Sequence, residues 1–321
     1  MNAALSTPLW KRADLVHRGV DRHRLDTLLR EGTLARLRPA VYVRSADVRS
    51  LTPEERIVLH ARALTLVCAD APLFSHQTAA ALHGLPLYRP DTERVHLILD
   101  DRRRGAVARA VRHRGDVDPQ EVENRGGLRL TGLVRTMADI ARTCDFATAV
   151  CTLDGALRRV AVTATGTYDA DAARKVTAAA LDASRRAAHG RARAARALAF
   201  ADGRAQLPGE SISRVRIAEL GLRPPRLQVG VPAPSGGVYY IDFGLDDVRI
   251  WGEFDGRGKY TDPALRSGRS AEQVLLAEKQ REDWIRGTTG RPVIRWGWSD
   301  LVDADALARR FAAFHVRMPP R

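Results

Sequence analysis

The sequence predicts a multidomain protein that mixes helices and strands, of the α+β or α/β class. Three observations support this class. The chain has 321 residues, more than one compact domain usually contains. The first 45 residues combine two short helical patterns with a basic hairpin, and the last third has the order helix, three strands, helix, strand. We expect four parts: a winged helix-turn-helix over 1–46, a mixed α/β middle domain over 47–165, a helical connector over 166–206 and an αβββαβ domain over 207–321.

The charge of the chain favours an anionic partner, with nucleic acid first and an anionic membrane surface second. The formal net charge is +14 and the sequence pI is about 10.6. An arginine- and alanine-rich composition is also typical of GC-rich codon usage. The surplus is uneven: residues 1–206 carry 34 basic and 23 acidic side chains, a surplus of 11, whereas residues 207–321 carry 18 and 15, a surplus of 3. The acids of the last third therefore need their own explanation.

Cysteine use and hydropathy indicate a cytoplasmic protein without a membrane partner. No apolar run approaches the roughly 20 residues that cross a bilayer, and the N-terminal MNAALSTPLWKR lacks a signal-peptide core. Three cysteines stand in apolar or helical surroundings without metal-type spacing, which predicts reduced, buried thiols: Cys68, Cys144 and Cys151.

The N-terminal segment has the pattern of a winged helix-turn-helix. A first helix covers 8–18, Gly19 and Val20 make a turn, and Asp21 is a natural N-cap for the second helix. The following TLARLRPAVYVR alternates apolar and basic residues as a hairpin does. If this unit binds DNA, its contacts come from the start of the second helix and from the hairpin, at Arg22, Arg24, Arg36 and Arg38. A small helical cap with a solvated charged face is the alternative.

The same residues resemble a known family. GVDRHRLDTLLREGTLARLRPAVYV is similar to the N-terminal winged helix of AbiEi-family antitoxins, which recurs in actinobacterial proteins, and the resemblance covers about residues 8–45. FSHQTAAALHGLPL and LTGLVRTMADIAR extend it weakly to about residue 145. The resemblance implies DNA binding by the first unit.

The middle region alternates helices and short strands. We predict helices from Pro53 to about Cys68, over 75–83 and over 133–142, with a strand over 95–99. Ser75, His76 and His83 are expected to cap and pack helices, because no acid is placed by the sequence to orient an imidazole. The arginine-rich run over 100–115 suits either a phosphate backbone or a solvated loop.

Two strands of the last third bring carboxylates together. Side chains alternate between the two faces of a strand. The Asp242 side chain is therefore expected on the face away from Ile241 and Phe243, and the Glu253 side chain on the face away from Phe254. If both apolar faces cover one core, a turn centred on Asp247 and Val248 places Asp242 across from Glu253.

Two like charges directly opposite each other on neighbouring strands are destabilising unless they are neutralised. A divalent cation is one neutraliser, and oxygen ligands suit Mg²⁺ or Mn²⁺. The alternative is that each acid pairs with an arginine such as Arg214 or Arg281.

Four ordered motifs of the last third resemble the PD-(D/E)XK nuclease superfamily, in the branch related to very-short-patch-repair endonucleases. They are GESISRVRIAELGL, YYIDFG, GEFDGRGKY and AEKQREDWI, and they cover about residues 207–301. The resemblance implies a restriction-endonuclease-like fold and metal-dependent DNA cleavage. It implies metal ligation by Asp242, Glu253 and the Phe254 carbonyl, with Glu210 or Asp255 completing the shell.

One position departs from that superfamily. Lysine is expected two residues after the second acid, where this chain has Asp255. The positive charge near the attacking water would then come from Lys259 or Lys279, which would position or activate that water. Arg281, two residues beyond Lys279 on the same helix, is expected to point elsewhere and to be the weaker substitute.

Two functions from different classes follow. The first is a DNA-binding protein with a metal-dependent endonuclease domain, in defence or DNA repair, with RNA as an alternative substrate. The second is an antitoxin-like transcriptional regulator whose nuclease-like domain is inactive, and which would have a toxin as protein partner.

Overall fold

The computed structural model of the protein describes residues 3–98, 109–256 and 271–318. The chain divides into two compact units, Met1–Ala201 and Asp202–Arg321. Thirteen α-helices and three β-sheets lie within the described residues, which confirms the α+β multidomain class. The segments expected as a winged helix, a middle domain and most of a connector all lie in the first unit.

The first unit begins with three short helices and a three-stranded sheet. Its elements are α1 (Ala3–Ser6), β1 (Trp10–Lys11), α2 (Arg12–His17), α3 (Arg22–Arg30), β2 (Leu34–Arg38) and β3 (Val41–Arg44), with strand order β1-β3-β2. Helix α3 starts where predicted, because the Asp21 carboxylate accepts a hydrogen bond from the Arg24 N–H at 2.7 Å. A small core joins the helices to the sheet through Leu15, Leu25, Leu34 and Tyr42.

The rest of the first unit is a five-stranded sheet covered by helices. Its helices are α4 (Ser45–Arg49), α5 (Pro53–Thr65), α6 (His76–Leu82), α7 (Leu133–Thr143), α8 (Phe146–Ala161), α9 (Ala170–Arg185) and α10 (Arg191–Phe200). Its strands are β4 (Leu73–Phe74), β5 (Val95–Ile98), β6 (Ala110–His113), β7 (Val122–Arg125) and β8 (Leu128–Thr131), in the order β6-β5-β4-β8-β7.

One hydrophobic core runs through this whole unit. It extends from Leu37 and Val41 of the hairpin, through helices α5 to α8, to Ala194 and Leu198 of α10. The alanine-rich helices α9 and α10 present small side chains to α7 and α8, which lets these helices approach closely. The segment expected as a connector is therefore a packed part of the first unit.

The second unit has the predicted order of elements. It consists of α11 (Pro208–Glu219), β9 (Arg226–Pro232), β10 (Val238–Leu245), β11 (Ile250–Phe254), α12 (Ala271–Thr289), β12 (Val293–Trp296), a 3₁₀ turn (Trp298–Leu301) and α13 (Ala304–Ala313). Strand order is β12-β11-β10-β9, with β9, β10 and β11 antiparallel and β12 parallel to β11. The final helix, α13, was not anticipated from the sequence.

Helices cover both faces of this sheet. On one face Trp296 stacks on Phe243, packs edge-on against Phe311 of α13 and donates its indole N–H to Ser213 Oγ of α11 at 2.7 Å. On the other face Trp251 packs near Ile285 of α12 and donates to Thr289 Oγ1 at 2.8 Å. The sheet therefore packs apolar side chains on both of its faces.

Within the described ranges, no helix combines the length and the apolar character that a membrane span requires.

Candidate functional site

Asp242 lies at the centre of the second unit's sheet, where two strands separate. Strands β10 and β11 pair from Leu245 and Ile250 to Phe243 and Gly252. This pairing ends one step short of Asp242 and Glu253, which are expected from the sequence to lie opposite each other. The ladder does not continue there. The Phe254 N–H instead donates to the Asp242 carboxylate at 2.9 Å, so this side chain fills the gap between the strands.

Gln228 connects Asp242 to helix α11. Pairing of Ile241 with Val229 places Gln228 beside Asp242 on the neighbouring strand. Its side-chain amide donates to Glu210 Oε2 at 3.2 Å and to Asp242 Oδ1 at 3.5 Å. We call Glu210, Gln228 and Asp242 the acidic cluster.

The backbone of Gln228 is strained. Its φ is +49°, in the left-handed region that residues other than glycine rarely adopt. Such a conformation costs about 1–3 kcal/mol and is typical of functional sites. Glu210 is only 3% exposed and also accepts the Gln206 N–H at 2.9 Å, so hydrogen bonds hold this buried carboxyl group in place inside the unit.

Glu253 has a different set of neighbours. Arg295 lies directly opposite it on β12 and approaches Glu253 Oε2 at 3.1 Å, and Arg281 of α12 donates to Oε1 at 2.6 Å. Arg295 also pairs with Glu278 and Glu282, at 3.4 and 3.5 Å. We call these five residues the ion-pair network. The alternative of an arginine pair is thus what the structure shows for Glu253.

Among the described residues of α12, the cation that contacts Glu253 is Arg281 and not Lys279. Lys259 lies outside the described residues, and Lys279 is exposed on α12. Arg281, expected to be the weaker substitute, contacts Glu253 and also the Tyr240 carbonyl. The expectation was wrong because α12 turns the face of Arg281, and not that of Lys279, towards the sheet.

The remaining predicted ligands lie at the end of β11. The Asp255 N–H donates to the Trp296 carbonyl at 2.8 Å, which extends the pairing with β12. The Phe254 ring fills the space above Gly209, where a Cβ atom would lie 2.1 Å from the ring. That close approach brings Glu210, the next residue of α11, towards Asp242.

The acids fit a divalent cation in part. Among the described residues, no group of three or more His, Cys, Asp and Glu side chains is arranged to hold a metal ion. Glu210 and Asp242 do share one donor, the Gln228 amide, and their carboxylate oxygens suit Mg²⁺ or Mn²⁺. Both oxygens of Glu253 are engaged by arginines, so this residue becomes a ligand only if Arg281 or Arg295 releases it.

Three of the four predicted DNA-contacting arginines are exposed. Arg22 and Arg24 lie on the first turn of α3, and Arg36 lies on β2. Arg38 is buried instead and donates to the Arg109 carbonyl at 3.4 Å, and burial lowers the pKa of its guanidinium. A register shift between Arg36 and Arg38 turns Arg38 inward, which strict alternation could not anticipate.

Two further arginines extend this basic surface. The guanidinium groups of Arg18 and Arg44 lie over the Trp10 ring, at 6.0 and 5.7 Å from its centroid. Both are exposed. The sequence did not single them out, because their proximity depends on the β1 and β3 pairing. We call Arg18, Arg22, Arg24, Arg36 and Arg44 the basic surface.

In the first unit, Ser75 and His76 have an acid nearby that the sequence did not reveal. Asp139 Oδ2 lies 3.9 Å from His76 Nδ1, and Ser75 Oγ lies 2.9 Å from the same nitrogen. A relay needs the serine and the acid on different ring nitrogens. Ser75 is also fully buried, and Asp139 is held by Arg135 and Arg142. This arrangement agrees with the packing role expected for both residues.

Comparisons with known proteins give similarity without an activity. No protein-family model matches the chain. Two uncharacterized proteins of Mycobacterium tuberculosis, from strains CDC 1551 and H37Rv, are each 28% identical over 244 residues, covering 76% of this chain and 81% of theirs. The crystal structure of the RV2827C protein from Mycobacterium tuberculosis is similar with a TM-score of 0.36 and 16% identity, over 61% of this chain and 78% of that one.

Proposed function

We propose that this protein binds DNA and that its second unit hydrolyses phosphodiester bonds with a divalent metal. The observation that carries the proposal is the position of Asp242. It lies mid-sheet in an αβββαβ unit, linked through Gln228 to Glu210 on one side and to the Phe254 N–H of β11 on the other. The four motifs that resemble the PD-(D/E)XK superfamily contribute these same acids.

Each residue of the site has a role in this proposal. Bound Mg²⁺ or Mn²⁺ would lower the pKa of a water and stabilise charge on the phosphate. Asp242 and Glu210 would hold the ion, and the Phe254 carbonyl and either Glu253 or Asp255 would complete its shell. The Gln228 amide donates to both carboxylates. Arg281 supplies the positive charge near the site that the missing lysine would have given.

The first unit would bind DNA through the basic surface. Arginine forks match phosphate oxygens, and positions at the start of a helix and on a hairpin suit contact with a duplex. Neutralising several phosphates makes such binding depend strongly on salt. We place this activity in the cytoplasm, with DNA as the partner.

The proposal is tested by incubating the purified chain with Mg²⁺ or Mn²⁺ and plasmid, single-stranded or branched DNA. We expect metal-dependent cleavage that EDTA stops and that Asp242→Ala abolishes. Asp246→Ala is the matched control, since Asp246 ends the same hairpin but pairs with Arg226 and Arg291 on the surface. Intact DNA under all these conditions, or cleavage by Asp242→Ala at the wild-type rate, would show that the assignment is wrong. RNA substrates in the same assay separate a ribonuclease from a deoxyribonuclease.

One observation favours a second candidate, an antitoxin-like regulator with an inactive nuclease-like unit. Arg281 and Arg295 both pair with Glu253, so this acid can be stabilised by arginines as part of a purely structural domain. A regulator of this kind would bind its own upstream DNA through the basic surface and pair with a toxin. A gel shift on that DNA, unchanged by EDTA and accompanied by no cleavage, would favour it.

A further inference from the structure

We propose that Gln228 is the positioning residue of the metal site, because its side-chain amide orients the Glu210 and Asp242 carboxylates towards one shared cation. This inference rests on the proposed function of the second unit. It gives a role in that function to a neutral side chain, which acts on the metal only through the two acids.

The Gln228 amide joins acids from two different elements. Its Nε2 atom donates to Glu210 Oε2 of α11 at 3.2 Å and reaches Asp242 Oδ1 of β10 at 3.5 Å. A primary amide carries two N–H groups, one for each carboxylate. The first contact has an ordinary length and the second is long, so the amide is held chiefly by Glu210 and extends from there to Asp242. The helix acid and the strand acid are thereby coupled through one side chain.

The backbone of Gln228 cannot relax without losing strand pairing. Leu227 pairs with Phe243 on one side of it, and Val229 pairs with Ile241 on the other. Between these pairs, Gln228 has a φ of +49°. Glycine adopts such a conformation without strain, but it has no side chain that could reach the acids. The strain at this position therefore accompanies the placement of the amide.

A neutral donor suits a cation site better than a charged one. The two arginines beside Glu253 would repel a divalent cation, whereas the Gln228 amide brings no charge of its own to Glu210 and Asp242. Residues that orient metal ligands by hydrogen bonds typically contribute about 10- to 100-fold to metal affinity or activity. We assign this role to Gln228.

The first test is calorimetric titration of Mn²⁺ into the full chain and into Gln228→Met, which keeps the length of the side chain but has no N–H. We expect the Mn²⁺ affinity to fall at least about tenfold. Gln206→Met is the matched control and should bind Mn²⁺ as the wild type does. Gln206 is exposed and contacts Glu210 through its backbone N–H, which the substitution keeps.

The cleavage assay separates positioning from direct participation. In Gln228→Met the Mn²⁺ concentration for half-maximal cleavage should rise by the same factor as the dissociation constant. At saturating Mn²⁺ its rate should return to within about threefold of the wild type, because the bound ion then orders its own ligands. Asp242→Ala should not be rescued by Mn²⁺ at any concentration.

Two further variants separate positioning from a structural role. Gln228→Gly and Gln228→Ala both lack the amide, but only glycine relieves the strain at this φ. The glycine variant should therefore unfold at a higher denaturant concentration than the alanine variant, while both lose Mn²⁺ affinity to the same extent as Gln228→Met. If Gln228→Met or Gln228→Ala fails to fold, the glycine variant decides.

Metal binding that follows stability, lost with alanine and restored with glycine, would overturn the positioning role. Binding by Gln228→Met at the wild-type affinity would also overturn it, and if Asp242→Ala still loses the ion, the metal site itself stands. A wild type that binds no Mn²⁺ would instead overturn the proposed function together with this inference.

Discussion

At the scale of single residues, the Asp242 carboxylate accepts hydrogen bonds from two different elements of the second unit. Its Oδ2 accepts a backbone N–H, and its Oδ1 receives the Gln228 amide that also binds Glu210. Glu253, one register step across the sheet, is held by two guanidinium groups instead. A metal at Glu253 would therefore have to compete with two arginines.

Arg281 should oppose metal binding while supporting catalysis. Arg281→Met removes a positive charge beside Glu253, so we expect Mn²⁺ affinity to rise about three- to tenfold and cleavage to fall. Calorimetry and a cleavage assay measure the two effects. Lys279→Met is the matched control, since Lys279 is exposed two residues away on the same helix. Equal changes in both variants would exclude a specific role for Arg281.

The acids of this site could be predicted from the sequence, but their neighbours could not. Strand alternation and a short turn predicted that Asp242 and Glu253 belong to neighbouring strands, and β10 and β11 are paired. Gln228 reaches Asp242 only through a positive φ, and Arg295 reaches Glu253 only through the parallel pairing of β12 with β11. Neither feature leaves a periodic signal along the chain. Arg38 was misplaced for the same reason, because a register shift cannot be read from alternation.

At the scale of elements, the approach of α11 to the sheet depends on a glycine. Gly209 faces the Phe254 ring, where a Cβ atom would lie 2.1 Å from Cε1 and Cζ. Phe254 cannot easily move away, because Trp298 packs on its other edge. Element order in this unit was predictable from hydrophobic periodicity, whereas this close approach depends on tertiary packing.

Gly209→Ala should therefore destabilise the second unit by about 1–3 kcal/mol through overpacking. Gly287→Ala, in α12, provides the contrast. Its Cβ would meet no atom within 4 Å, so we expect a gain of up to about 1 kcal/mol from helix propensity. Chemical denaturation, followed by tryptophan fluorescence, measures both. A neutral Gly209→Ala would indicate that α11 and β11 can separate without cost.

At the scale of the whole molecule, the two units should respond differently to acid. Burial lowers the pKa of five histidines in the first unit. The pKa falls to about 4 for His60 and His96 and well below its usual value for His76, which also lies beside His113; the others are His83 and His113. The second unit contains one histidine, His315. Below pH 6.5 the unfolded first unit binds more protons than the folded one, so its stability falls as the pH falls towards 4.

We expect the first unit to lose about 2 kcal/mol at pH 5 for each histidine with a pKa of about 4, relative to pH 7.5. Hydrogen exchange at the two pH values, corrected for its intrinsic pH dependence, distinguishes the units by their peptides. Protection should fall in Met1–Ala201 and stay nearly constant in Asp202–Arg321. An equal loss in both units would show that the buried imidazoles do not control acid stability.

The division of the chain into domains was predicted less well than its helices and strands. Composition suggested a separate connector over 166–206, yet the alanine-rich helices α9 and α10 join the core of the first unit. Alanine carries too little apolar surface to reveal its burial by periodicity, so only packing decides where such helices lie.

The most direct test of the central claim is calorimetric titration of Mn²⁺ or Mg²⁺ into the wild-type chain and into Asp242→Ala. If Asp242 and Glu210 hold a catalytic metal, the wild type binds one ion and Asp242→Ala loses that binding while remaining folded. Equal binding by the two chains, or none by the wild type, would contradict a metal site at Asp242.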